Sequence, residues 1–255
     1  MLKRERLLKI IDKVNTNGII TVNEIMQHLK VSDMTARRDL DELEKAGKLV
    51  RIHGGAQSIS SPIKKLEKSN TEKLNVQTKE KKEIASFAAT LINDGETIFI
   101  GPGTTLEFFA EQLIDKTIRI VTNSLPVFDI LKNSDSIDLI LIGGEYRNIT
   151  GAFVGSLTNQ TISTLKFSKA FIGCNGIYQN DIATYNESEG QIQRIALNNA
   201  IEKILLVDNQ KFNAYDFSVF YQLDQIDKTI TDSRIQPEVF NDYKERTQLI
   251  IANQK

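Results

Sequence analysis

Two groups of residues in this 255-residue chain have types and spacings suited to chemistry. The first is Ser32, Thr35, Arg37 and Arg38, followed by Arg51 and His53. Arginine offers a two-pronged donor to guanine or phosphate, and short hydroxyl side chains reach phosphates or base edges. The second is a series of polar runs: Gly101-Pro102-Gly103-Thr104-Thr105, Thr122-Asn123-Ser124, Gly143-Gly144-Glu145-Tyr146-Arg147, Gly173-Cys174-Asn175-Gly176 and Asp208-Asn209-Gln210-Lys211. Glycine permits close backbone approach, and hydroxyls with helix N-terminal amides bind phosphate oxygens. Lys211 adds a cation. One such run would be an ordinary turn, but five of them point to an anion site. The alternative for Arg37 and Arg38 is pairing with Asp33, Asp41 or Glu42 on a solvated face.

The first group needs a scaffold that presents one helix outward. Leu7, Leu8, Ile11 and Val14 predict a first helix with these residues inward, ending at Asn15-Thr16-Asn17-Gly18. Thr21 and Glu24 form a capping-box pattern before Val22, Ile25, Met26 and Leu29, which recur at helical spacing. Lys30-Val31-Ser32 is a short turn, and Ser32 can cap the next helix. That helix has Met34, Leu40 and Leu43 inward and stops at Gly47. Leu49 to Gly55 reads as a strand and tight turn. Together these predict a winged helix-turn-helix over residues 1–57, with the N-terminal part of its second helix at the base edges of double-stranded DNA. His53 is expected to contact phosphate from the wing, and His28 to be structural.

The second group needs strands that end together. Thr97–Ile100, Ile118–Thr122, Ile137–Ile142, Ala170–Ile172 and Ile204–Val207 are β-rich, with helical segments near 84–92, 104–113, 125–132 and 188–201. This alternation predicts an α/β domain with a largely parallel sheet over 84–255, and 226–231 and 247–252 as edge strands. In such sheets ligands sit beyond the strand C-termini. Residues 58–83, with a break at Ser58–Pro62 and a charged run from Lys64 to Lys82, are expected to connect the two domains.

Composition narrows the class. Hydrophobic residues make up 40%, enough for a substantial core. No apolar run approaches a membrane span, and the charged N-terminus lacks a signal-peptide core, so a cytoplasmic protein without a membrane partner is expected. A single cysteine excludes an intramolecular disulfide, and no metal or cofactor is expected. Residues 1–83 hold 18 Lys/Arg against 12 Asp/Glu, and residues 84–255 hold 14 against 21. A basic front on an acidic body suits a polyanion at one end.

Ser32-Asp33-Met34-Thr35-Ala36-Arg37-Arg38-Asp39-Leu40, then Leu43-Glu44, Gly47 and Ile52-His53-Gly54-Gly55-Ala56, resemble the DNA-binding region of DeoR-family bacterial repressors. Gly103-Thr104-Thr105, Thr122-Asn123-Ser124, Gly143-Gly144, Asn175-Gly176-Ile177, Glu189 and Asp208 with Lys211-Phe212 resemble the family's sensor domain. The resemblance implies a repressor whose C-terminal α/β domain is like the sugar-phosphate isomerases and binds a sugar-phosphate effector. On that analogy Gly103, Thr104, Thr105, Asn123, Ser124 and Lys211 hold phosphate. Gly143 and Gly144 belong to the same site, and Arg147 and Glu189 face the sugar or brace the loops. Gly101-Pro102 replaces the family's usual acidic start of this loop, and Gln193 a usual lysine.

Within the family, the runs Ile100–Ala110, Leu125–Phe128, Ile142–Arg147 and Thr150–Gly155 are similar to members that control lactose and tagatose 6-phosphate catabolism. That similarity implies tagatose 6-phosphate as inducer, with another sugar phosphate as the alternative. The implied assembly is a homo-oligomer, a dimer or tetramer. An isomerase-type enzyme would need a general base. Glu187 and Glu189 are available, but no histidine follows residue 53, so a regulator rather than an enzyme is expected.

Overall fold

The structure is a computed structural model that describes residues 3–17, 19–52, 54–58, 67 and 69–252. The chain divides into two compact units, Met1–Glu67 and Lys68–Lys255.

The first unit runs α1 (Lys3–Asn17), β1 (Ile19–Thr21), α2 (Val22–Leu29), α3 (Asp33–Lys45), β2 (Leu49–Ile52) and β3 (Gly55–Ser58). Helix α1 buries Ile10 and Val14, with Leu7 and Ile11 packed beside them. Leu8, expected inward, is 59% exposed. It stands one helical step of about 100° off the Leu7–Ile11–Val14 row, and Ile10 fills the core instead. Thr21 and Glu24 form the expected reciprocal capping box on α2. Ser32 caps α3 by accepting from the Thr35 amide. Helix α3 buries Ala36, Leu40 and Leu43, at i, i+4 and i+7. Met34, also expected inward, precedes that row by two residues, lies on its far side and is 81% exposed. Gly47 closes α3 at φ +63°, its amide on the Glu44 carbonyl and the Lys48 amide on the Leu43 carbonyl. Strands β2 and β3 form an antiparallel hairpin, and β3 also pairs with β1. This is a winged helix-turn-helix.

The second unit opens with α4 (Asn70–Leu74) and α5 (Thr78–Ala89). Then come β4 (Thr97–Ile100), α6 (Thr104–Glu111), β5 (Ile118–Thr122), α7 (Leu125–Leu131) and β6 (Ile137–Leu141). A hairpin of β7 (Glu145–Arg147) and β8 (Ala152–Val154) precedes α8 (Ser156–Ser163) and β9 (Phe167–Ile172). Next are β10 (Gly176–Tyr178), β11 (Asp181–Thr184), α9 (Glu187–Asn198) and β12 (Ala200–Leu206). The chain closes with β13 (Ser218–Gln222), β14 (Lys228–Thr231), α10 (Pro237–Tyr243) and β15 (Gln248–Ile251).

Seven strands form one sheet in the order β15-β14-β12-β9-β4-β5-β6, with every pairing parallel. Strand β14 lies between two neighbours, so of the two expected edge strands only β15 is one. Strand β4 buries both faces, whereas the edge strand β6 exposes Asp138 and Ile140 on one. Ile98 and Ile100 pack with α5, α6 and α7, while Phe99 between them packs with residues of α8, α9 and β13. Strands β10, β11 and β13 make a separate antiparallel sheet that the sequence reading did not anticipate. The expected connector over 58–83 is also shorter in the structure. Residues from 69 onward fold with the second unit, because α5 begins at Thr78 and buries Glu80 and Lys81 together with Ile84, Ala85 and Ala88.

Candidate functional site

In the first unit, the outward side of α3 carries exposed Ser32, Met34, Arg37 and Arg38. Thr35 is half-buried, and its hydroxyl lies 2.9 Å from that of Ser32. Arg37 pairs with Asp33 at 2.7 Å, which raises its already high pKa by that hydrogen bond. Arg38 makes no hydrogen bond or ion pair among the described residues and is available as a cation. Arg51 donates to the Arg37 carbonyl at 3.0 Å and to Asp41 at 2.8 Å, and so braces β2 against α3. The alternative of solvated ion pairing therefore describes Arg37 but not Arg38. His53 lies outside the described residues. His28, expected to be structural, is exposed in the last turn of α2.

In the second unit, sheet order locates the candidate ligand site. Strand β4 is the first of this sheet's strands along the chain yet sits between β9 and β5, so the connections run to opposite sides from it. A parallel sheet opens a crevice where its order reverses, beyond the strand C-termini. Here that means the loops after β4 and β9, which are Gly101–Gly103 and Gly173–Asn175. Helix α6 starts at that crevice with Gly103 as its cap residue, which has no side chain to satisfy the first-turn amides. The adjacent α7 differs, since Ser124 caps it by accepting from the Val127 amide at 3.4 Å. Of the two helices, α6 is the one left open to an anion. Thr104 and Thr105 are buried in its first turn, and their hydroxyls make no hydrogen bond among the described residues.

Cations surround this opening. Lys211 ends a short 3-10 turn, Asn209–Lys211, after β12, and its ammonium makes no hydrogen bond or ion pair among the described residues. Lys81 on α5 is only 4% exposed, and its ammonium donates to the Lys73 carbonyl at 2.6 Å. Burial holds its pKa down to about 8, with the charges of Asp208, Lys211, Glu107 and Lys73 all acting on it. Lys73 reaches Asn175 at 3.3 Å. Cys174, beside it, is a free cysteine whose thiol burial pushes up to about 12, so it is an unreactive neighbour. Burial also raises the Glu107 pKa, against the pull of Lys81.

The remaining expected residues gather at a second cluster. Glu189 is buried and accepts from Arg147 Nε at 2.9 Å and from the Thr150 hydroxyl. Asn123 donates to the Phe153 carbonyl at 2.8 Å, while its buried Oδ1 has no partner among the described residues. The Gly143 carbonyl accepts from Thr158, and a Cβ on Gly144 would fall 2.0 Å from the Thr158 hydroxyl oxygen. Gly144 thus has a packing reason to be there, whereas a Cβ on Gly143 would meet open space. Asn70 joins the two clusters by donating through Nδ2 to Glu107 and to the Thr150 carbonyl, each at 2.8 Å.

Lys81, Lys73 and Asn70 escaped the sequence reading. A readable signal existed for Lys81, which heads the stripe Ile84, Ala85, Ala88 at i+3, i+4 and i+7. A lysine on an apolar stripe must find a buried role. Among the described residues, no group of three or more His, Cys, Asp or Glu side chains could hold a metal, and no helix is long and apolar enough to cross a membrane.

Residues 6–62 match the family model of the DeoR-like helix-turn-helix domain, and residues 76–233 that of the DeoR C terminal sensor domain. A Lactococcus lactis subsp. lactis protein named lactose phosphotransferase system repressor is 53% identical, covering 99% of this chain and 100% of its own length. Its namesake in Streptococcus mutans serotype c is 47% identical, covering 91% and 93%. Among solved structures, ribose 5-phosphate isomerase A from Methanocaldococcus jannaschii overlaps 53% of this chain and 55% of its own at 19% identity, with a TM-score of 0.39.

Proposed function

The chain belongs to the DeoR family, and from that premise we propose that it is a transcriptional repressor of a lactose and tagatose 6-phosphate catabolic operon, released from its operator by tagatose 6-phosphate. A DeoR-type repressor of a sugar operon is what its relatives' names support directly. The phosphate would sit on the open first turn of α6, at Gly103, Thr104 and Thr105, with Lys211 and Lys81 neutralising its charge. Asn123, Arg147 and Glu189 would face the sugar or hold its loops. The observation that carries this reading is the uncapped α6 facing a buried lysine, and one without a partner among the described residues, across the order reversal of the sheet. Two charge-neutralising lysines and free amides suit a phosphate monoester, which carries about two negative charges at neutral pH.

Operator binding falls to Ser32, Thr35, Arg37 and Arg38, with Arg51 and His53 from the wing. A single small helix-turn-helix reads few base pairs, so a dimer or tetramer supplies affinity through effective concentration. Operator DNA places the protein in the cytoplasm. Catalysis is not part of the reading, because Glu189 Oε1 already accepts from two donors and is a poor candidate for a general base.

A gel-shift titration on the upstream operator tests the proposal. Tagatose 6-phosphate should release the DNA at the lowest concentration in a panel of hexose phosphates, and unphosphorylated tagatose should leave it bound. Another hexose phosphate winning the panel would reassign the inducer, and no response to any would refute the sensor role.

A further inference from the structure

Helix α4 is the first element after the residues that lead out of the DNA-binding unit, and its contacts are unusual in kind. None of its five residues is buried, and Leu74 alone packs against the core. Polar contacts hold it down instead. The Asn70 amide donates to the Ile149 carbonyl at 3.0 Å, and Asn70 Nδ2 to Glu107 and to the Thr150 carbonyl. Lys73 donates to Asn175, and Lys81 to the Lys73 carbonyl. A capping box between Ser69 and Glu72 keeps the short helix formed. These contacts end on the helix that opens the anion site, on the loop after β9, on the buried lysine, or on the loop that carries Thr150 to Glu189.

We infer that α4 is the element that reports effector occupancy to the DNA-binding unit, with Asn70 and Lys73 as its positioning residues. The inference rests on the reading of this crevice as a sugar-phosphate site. A dianion at the first turn of α6 draws the Lys81 ammonium away from the Lys73 carbonyl and the Lys73 ammonium away from Asn175. Both are bonds that anchor α4. An anion also sets itself against Glu107, the acceptor for Asn70. With little apolar burial to retain it, α4 leaves its seat when these polar partners are exchanged. A ligand shifts an equilibrium only by binding its two states differently, and here the difference lies in whether the two lysines face α4 or the anion. The docked arrangement is the operator-binding state, and undocking frees the far end of the residues that lead out of the DNA-binding unit.

Population shift sharpens the test: a change that undocks α4 without ligand should weaken operator binding and strengthen effector binding together. Asn70→Asp keeps the side-chain size, removes the donor and places a carboxylate against Glu107. In the full-length protein it should bind operator about tenfold more weakly without sugar, bind tagatose 6-phosphate about tenfold more tightly by calorimetry, and melt like the wild type. Hydrogen exchange on the unaltered protein gives an independent measure. Tagatose 6-phosphate should slow exchange over 103–107 and speed it over 70–76. If 103–107 are protected and operator is released while 70–76 exchange as before and Asn70→Asp behaves as wild type, α4 is not the reporter and the sensor reading survives. If tagatose 6-phosphate neither protects 103–107 nor releases operator, the sensor reading falls and this inference with it.

Discussion

Arg6 on α1 grips Asp39 on α3 with two guanidinium nitrogens, at 2.5 and 3.0 Å, and Asp39 is almost fully buried. The pair ties the first helix to the back of the outward-facing one, so the angle at which α3 is presented depends on it. Two-point pairing of this kind suits arginine and not lysine. Arg6→Ala leaves a buried carboxylate without its partner and should cost the N-terminal unit about 1.5–3 kcal/mol in denaturant titration. Arg6→Lys should recover only part of that loss. Adding Asp39→Ala to Arg6→Ala should restore stability, because no charge is then left buried alone.

On the outer side of α3, Met34 and Arg38 are exposed, and Arg38 lacks a partner among the described residues. Their replacement by alanine should leave the melting temperature unchanged. Arg38→Ala should weaken operator binding. A uniform loss with a salt slope shallower by about one unit marks a phosphate contact, and a loss of about 1–3 kcal/mol confined to one base position marks a base contact. Met34→Ala should lower affinity only where the operator presents a thymine methyl. Scanning thymine-to-uracil substitutions in the operator checks this, since they should penalise the wild type and not the variant.

Effector affinity should fall as pH rises. A phosphate monoester is already dianionic above its second pKa near 6. Lys81 loses its proton around pH 8. Binding of tagatose 6-phosphate should weaken about tenfold between pH 7 and 9 and take up a proton near pH 8, by linkage. Calorimetry in buffers of different ionisation enthalpy measures both, and Lys81→Met should abolish the uptake. Folding stability has the opposite slope. The unfolded chain binds this proton more tightly, so between about pH 8 and the ordinary lysine range near 10.4 the ligand-free protein gains stability as pH rises.

Lys211→Ala should bind operator normally but require at least tenfold more sugar phosphate for release, which is a super-repressor in the cell. Tenfold corresponds to about 1.4 kcal/mol of lost coupling. Release at the wild-type concentration would place the phosphate elsewhere.

Gly144→Ala should behave differently from a change at the anion site. Its φ of +156° and the close approach of Thr158 and the Val154 carbonyl leave no room for a methyl group. The variant should lose thermal stability by a few kcal/mol whether or not sugar phosphate is present, as expected for overpacking of about this severity. An unchanged melting temperature with lost induction would make Gly144 a ligand contact instead.

Local rules carried the sequence reading furthest where the interaction was local. The Thr21–Glu24 box, the Ser32 cap and the Gly47 stop each depend on residues within a few positions, and all appear in the structure. Strands β4 and β5 match their expected bounds: β4 is buried from Ile98 to Ile100, and β5 is interrupted only by the exposed Arg119. Leu8 misled because it lies one helical step off the buried row of α1, and Met34 because its apolar type suggested burial at a position about 200° from Ala36. The β10-β11-β13 sheet stayed hidden because its strands are short and two of its members are separated by α9. At the anion site, the glycine and hydroxyl loops stood out by composition. Lys73 and Asn70 did not, since their value comes from Asn175, Glu107 and Thr150, far away in sequence.

The place of β4 in the sheet has a consequence for synthesis. Its first pairing partner, β5, is made soon after it, but β9, which completes the crevice, follows roughly seventy residues later. Among the described residues, the winged helix-turn-helix draws its strands and core from those up to Ser58. On a ribosome adding about 5–20 residues per second, the reader is complete some 5–20 seconds before the sensor crevice can exist. A nascent chain therefore passes through an interval in which it has a DNA-binding surface and no means of being induced.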